Sequence, residues 1–197
     1  MSKKKKRKEK EKVDKKYSVE LIGLLLIIIA LIGFIPKTGV IGNFISSFSS
    51  FLVGIWYGIF LLALIIVGIY MIIKREKPDF FTTKLVGFYI FFIGVLVLTH
   101  TKYIKDTDLR GVEIINETIN QFMASISSGK SQIGGGIIGG AFSCLFVYLF
   151  DITGTNIVTW ALIICGVVMF TGMSIIDIIK NSLSKVNFKS KNKDKYK

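Results

Sequence analysis

Hydrophobic residues in this chain fall in long unbroken blocks separated by short polar stretches, a spacing that fits lipid as the solvent better than water. The first block, Leu21 to Ile35, is aliphatic, with Tyr17 to Glu20 as an interfacial lead-in and Pro36-Lys37-Thr38-Gly39 as the turn that closes it. The second, Phe51 to Ile73, is uncharged, carries Trp56 and Tyr57, and stops at Lys74-Arg75-Glu76-Lys77-Pro78. The third, Leu85 to Leu98, follows Lys84 and reaches spanning length when extended through Thr101. Two more blocks, Gly134 to Phe150 and Ile157 to Met173, are separated only by Asp151-Ile152-Thr153-Gly154-Thr155-Asn156. Within the polar stretch from His100 to Gln132, Val112, Ile115, Ile119, Phe122, Met123 and Ile126 recur every three or four residues, which predicts an amphipathic helix over 112–127.

Charge decides how these blocks thread the bilayer. Of 26 Lys and Arg residues, ten lie in 1–16, four in 74–84 and seven in 177–197. The positive-inside rule therefore places the N-terminus, the 74–84 turn and the C-terminus in the cytoplasm. Five spanning blocks would put the two basic termini on opposite sides, so one block must not cross. Gly134 to Phe150 is the candidate, because it opens Gly134-Gly135-Gly136, continues Gly139-Gly140 and leads into its neighbour through a turn without Lys or Arg. The prediction is an all-α integral membrane protein with four transmembrane helices at about 18–35, 51–73, 84–100 and 157–174. An outer amphipathic helix and a glycine-led re-entrant or interfacial helix at 134–150 complete it, the latter buried against other helices. The basic head, 1–16, and tail, 176–197, flank the membrane domain.

Composition agrees, with 51% hydrophobic residues, a formal charge of +13 and a mean hydropathy of +0.59. The chemistry-bearing residues point to no enzyme. Cys144 and Cys165 sit inside apolar blocks without any C-x-x-C element, so neither a disulfide framework nor a zinc site is implied. Ala124-Ser125-Ile126-Ser127-Ser128-Gly129-Lys130-Ser131 fits a loose phosphate-loop pattern, but an amphipathic helix precedes it where a strand is needed and three glycines soon follow, so it reads as a Ser/Gly loop. His100, the single histidine, has no nearby Cys, Asp or Glu and reads as an interfacial residue. No charged residue sits mid-span, which disfavours a proton relay or ion-coupled transporter. No cofactor or metal is expected.

Two sets of residues are candidates for contact. Gly134, Gly135, Gly136, Gly139 and Gly140, with Gly172, form a small-residue surface suited to helix packing or oligomer contact. Lys3, Lys4, Lys5, Lys6, Arg7 and Lys8, with Lys74 and Arg75, suit anionic headgroups at the cytoplasmic surface. Asn116-Glu117-Thr118 matches a glycosylation acceptor, a pattern too common to weigh.

The order of these features is specific: a lysine-rich head, two spans, a basic turn, a third span closing Leu98-Thr99-His100, then Gly134-Gly135-Gly136-Ile137-Ile138-Gly139. Thr153-Gly154 and a final Val168-Met169-Phe170-Thr171-Gly172-Met173-Ser174 follow. The chain resembles, over about residues 1–185, the N-terminal four-span membrane domain of the FtsK/SpoIIIE DNA translocases. That resemblance implies a septal membrane anchor that self-assembles, as a hexamer by analogy, and that meets division proteins. It implies contact with DNA only through an ATP-dependent motor, whose linker Lys185 to Lys197 would begin. The rival readings are a small stand-alone channel, holin or transporter, and a motor-less scaffold for division proteins.

Overall fold

The computed structural model describes residues 3–35, 39–107, 109, 111–128 and 134–172. Outside them lie the Pro36 to Thr38 turn, the Gly129 to Ser131 end of the Ser/Gly loop and the basic tail, and the side chains of the basic head are not described either.

Every regular element among the described residues is helical. In chain order these are α1 (Lys3–Phe34), α2 (Gly39–Val53), a single 3-10 turn (Gly54–Trp56), α3 (Tyr57–Lys74), α4 (Thr83–Thr107), α5 (Val112–Ser128) and α6 (Gly136–Thr171). Four stretches are long and apolar enough to cross a membrane: Tyr17–Phe34, Gly39–Lys74, Thr83–Lys105 and Gly136–Thr171. The chain is an all-α membrane protein.

Two of those stretches are broken. α6 departs from helical geometry at Asp151 (φ 55°, ψ 176°), dividing into arms of residues 136–150 and 152–171. At 1.5 Å per residue the first arm is only about 22 Å long and cannot cross a hydrocarbon layer of about 30 Å by itself, whereas the second can. Sequence reasoning starts the last span at 157, but a single residue makes the turn and the helix resumes at once. The Gly39–Lys74 stretch breaks at Gly54 (φ 64°), where the 3-10 turn separates α2 from α3. α2 lies almost wholly outside the predicted spans, which resume only at residue 51, because Ser46, Ser47, Ser49 and Ser50 interrupt its apolar run. Three of those serines, 47, 49 and 50, are buried, and Ser49 Oγ returns its proton to the Ile45 carbonyl at 2.8 Å, so the helix itself satisfies that hydroxyl.

The helices assemble as two antiparallel hairpins. In the first, α1 lies on α3, with Gly23 against Gly68 and Gly33 against Leu61. In the second, α4 lies on the second arm of α6, with Gly87 against Met169 and Phe170, Gly94 against Ile163, and Gly166 against Phe91. Glycine at each crossing lets backbones approach where lipid offers no hydrophobic gain for helix association. The consecutive helices α3 and α4 barely touch. The hairpins meet instead at the end that holds His100, through α2 and the 3-10 turn.

Many large apolar side chains on the spans, among them Leu24, Leu31, Ile66, Ile73, Ile157, Trp160 and Ile164, are exposed. That inversion of the soluble pattern is what a lipid-facing surface requires.

Candidate functional site

The polar residues converge where the two hairpins join. Within the Thr99-His100-Thr101 segment of α4 both threonines satisfy their hydroxyls on the preceding turn, Thr99 donating to the Val95 carbonyl and Thr101 to that of Val97, each at 2.8 Å. His100 lies between them and is fully buried. Its Nδ1 accepts the Gly135 N–H at 3.3 Å, which places the proton of the neutral ring on Nε2. That Nε2 is buried and has no hydrogen-bond partner among the described residues. It faces Gly140, where a Cβ would lie 3.2 Å from it and 3.4 Å from Thr118 Oγ1.

The glycines form the wall on which this arrangement rests. A Cβ on Gly135 would stand 2.0 Å from the Leu96 carbonyl oxygen, and one on Gly139 2.8 Å from the same atom. Ser143, one turn further along, donates to the Val97 carbonyl at 3.3 Å. Successive turns of the first arm of α6 thus meet one turn of α4, as helices do when they cross steeply. Gly134 (φ 37°) lies beside His100 and Tyr103, and Gly136 (φ 67°) lies against Leu52 and Gly54. The five glycines singled out in this run are therefore together, all in contact with other helices of the chain. Gly172 stands apart: it caps the C-terminus of α6 at φ 67°, with no described residue within 4 Å of a Cβ.

Two bonds tie the hairpins here. The Ile55 N–H donates to the Gly134 carbonyl at 3.0 Å, and Trp56 Nε1 donates to Thr99 Oγ1 at 3.0 Å. α5 covers the junction. Its Ile114 and Thr118 are buried, and Phe122 meets Phe51 of α2 with ring centroids 4.4 Å apart. Gln121 donates to Glu117 Oε1 at 3.0 Å and pairs with the Tyr103 hydroxyl. The face of α5 that sequence periodicity marks as apolar is only partly turned inward, since Val112, Ile119 and Met123 remain exposed while Ile114 and Thr118 are the buried pair.

At the opposite end Arg75 closes α3 with its guanidinium on Glu20 of α1, and Lys74 is exposed beside it. Cys144 donates to the Gly111 carbonyl at 3.2 Å, and Cys165 is exposed on the second arm. The partnership of Trp56 with Thr99 has no signal in the sequence, because 43 residues separate them and the local pattern around neither points to the other. Gly23 and Gly68 are lone glycines within apolar blocks and are just as silent.

Fold and junction together define a polytopic helical membrane domain whose two hairpins are joined through close-packed glycines. A family model described as the 4TM region of DNA translocase FtsK/SpoIIIE matches residues 35–183, and the chain belongs to that family. It is similar to the DNA translocase FtsK of Oceanobacillus iheyensis, 32% identical over 191 residues that cover 93% of this chain and 24% of the relative. It is 30% identical over 191 residues to the DNA translocase SpoIIIE of Bacillus subtilis, again 93% of this chain and 24% of the relative. The DNA translocase FtsK of Listeria monocytogenes is 29% identical over 170 residues. The chain thus spans about a quarter of the length of these curated relatives, and what it matches is their membrane region. No solved structure matches it.

Proposed function

We propose that this chain is the membrane anchor and assembly domain of a DNA translocase that acts in chromosome segregation and cell division at the septum. The observation that carries the reading is the family match across residues 35–183. The three basic clusters support an orientation with the N-terminus, the 74–84 turn and the C-terminus in the cytoplasm. In this reading ATP hydrolysis and DNA movement belong to a motor, and no residue described here takes part in either. The domain contributes position and assembly: the glycine junction keeps two hairpins as one unit, and the lipid-facing surfaces are available to further copies, six by analogy with the family, and to division proteins.

The test is imaging of residues 1–197 fused to a fluorescent reporter in dividing cells, with membrane fractionation in parallel. Enrichment at the septum is expected, with the fusion wholly in the membrane fraction. A uniform membrane signal would reduce the role to tethering and remove the septal part of the proposal.

A further inference from the structure

Phe80 and Phe81 form the tip of the turn between α3 and α4, and they are 44% and 88% exposed. The turn around them is built rather than slack. Arg75 ends α3 in a left-handed conformation (φ 54°), with its N–H on the Met71 carbonyl at 3.0 Å and its guanidinium on Glu20 of α1. The Phe81 N–H donates to Asp79 Oδ1 at 3.1 Å, and Thr82 Oγ1 caps α4 by accepting the Leu85 N–H at 3.4 Å. Phe81 consequently occupies the position just before the helix cap. An apolar side chain there ordinarily folds back on the fourth residue of the helix, here Val86. An exposure of 88% means that this contact is not made and that the ring points away from α4. Since α3 and α4 barely touch, no other helix among the described residues covers it.

The surroundings identify what does. The turn joins two membrane-crossing helices, and the second begins at Thr83, two residues after Phe81. Both rings therefore lie where hydrocarbon gives way to headgroups, the layer in which aromatic side chains concentrate. Lys74, Lys77 and Lys84 of the same turn are exposed, whereas its acidic groups are Glu76 and Asp79, the latter engaged with the Phe81 N–H.

We infer that the 74–84 turn is a lipid-binding wedge in which Phe80 and Phe81 insert into the leaflet while Lys74, Lys77 and Lys84 hold the headgroup of an anionic phospholipid. Arg75, paired with Glu20, ties the wedge to α1. The inference rests on the orientation proposed above only for which leaflet is engaged.

The experiment uses the full chain in vesicles of phosphatidylcholine with or without phosphatidylglycerol. Phe81→Trp in a Trp56→Phe, Trp160→Phe background reports insertion by fluorescence. A nitroxide on Phe81→Cys, with Cys144→Ser and Cys165→Ser, reports it independently should loss of the Trp56 bond disturb folding. Lipids brominated high in the acyl chain should quench the tryptophan, and oxygen should relax the nitroxide more than an aqueous nickel complex does. Lys77→Gln with Lys84→Gln should lower retention of phosphatidylglycerol in native mass spectrometry, by about five-fold per lysine, and leave the quenching intact.

Quenching by aqueous acrylamide alone, with a nickel-accessible nitroxide, would overturn the wedge, and equal retention of the two lipids would overturn the headgroup assignment. Brominated lipid confined to one leaflet separates the orientation. Quenching is expected from the leaflet on the side where maleimide reaches Lys191→Cys; quenching from the other leaflet would overturn the proposed orientation and leave the wedge standing.

Discussion

Gly23 and Gly68 stand back to back across the α1–α3 crossing: a Cβ on Gly23 would lie 2.7 Å from the Gly68 carbonyl oxygen, and one on Gly68 2.6 Å from that of Gly23. Backbone cannot yield as a flexible side chain does, so an alanine at either position must part the helices. Gly68→Ala and Gly23→Ala should each destabilise the protein by about 1–3 kcal/mol, the usual range for overpacking. Because a single separation accommodates both methyl groups, the double variant should cost less than the sum. Unfolding by sodium dodecyl sulfate in mixed micelles measures all three, and two neutral single variants would show that the crossing is looser than described.

Gly136 and Gly172 share φ 67° but not their surroundings, which makes them a matched pair. An alanine at Gly172 meets no described residue within 4 Å and should cost the left-handed backbone penalty, about 1–2 kcal/mol. An alanine at Gly136 pays that and also places its Cβ 2.5 Å from the Gly54 nitrogen, at the joint between the hairpins. Gly136→Ala should therefore be the more destabilising by about 1–3 kcal/mol in the same titration. Equal losses would mean that the contact with Gly54 is unimportant.

Much of this architecture was legible in the sequence, and the places where it was not have a common cause. Helix existence follows from runs of apolar residues, which is why Phe51 to Ile73 and Leu85 to Leu98 announce themselves. The amphipathic period that predicts a helix at 112–127 falls on α5. The glycine run from Gly134 to Gly140 marks itself because so many small residues in so short a stretch demand close backbone contact. α2 was obscured because its serines look polar until the helix carbonyls that absorb their protons are in view. His100 read as interfacial because its burial depends on Gly135, Gly140 and Thr118, which come from two other helices. Local pattern specifies where a helix runs. Which helices share a joint depends on pairs such as Ile55 with Gly134, separated by about half of the membrane domain.

The bond from Trp56 Nε1 to Thr99 Oγ1 is a side-chain link between the hairpins, and a double-mutant cycle isolates it. Trp56→Phe and Thr99→Val each remove one partner and keep most of the volume. The expected coupling is about 0.6 kcal/mol, and not above about 1.7, the range for such bonds in lipid. No coupling would mean that the two groups find other partners and that this bond does not hold the hairpins together.

Asp151 offers a test with the opposite sign. At φ 55° and ψ 176° it holds a backbone conformation that is essentially reserved for glycine and costs about 1–3 kcal/mol in any other residue. Its side chain is exposed, while its carbonyl accepts the Thr155 hydroxyl at 2.7 Å, so the backbone of residue 151 makes the turn and carries that contact. Asp151→Gly keeps the carbonyl and relieves the strain, and should raise stability by about that amount, less the entropy glycine adds to the unfolded chain. Asp151→Ala retains the strain and gains nothing. Thermal unfolding in detergent should rank the three Gly above Asp, with Ala at or below Asp. Should Gly fall below Asp, the carboxylate must hold the turn more tightly than the strain opposes it, and the break in α6 would then be a capped joint instead of a strained one.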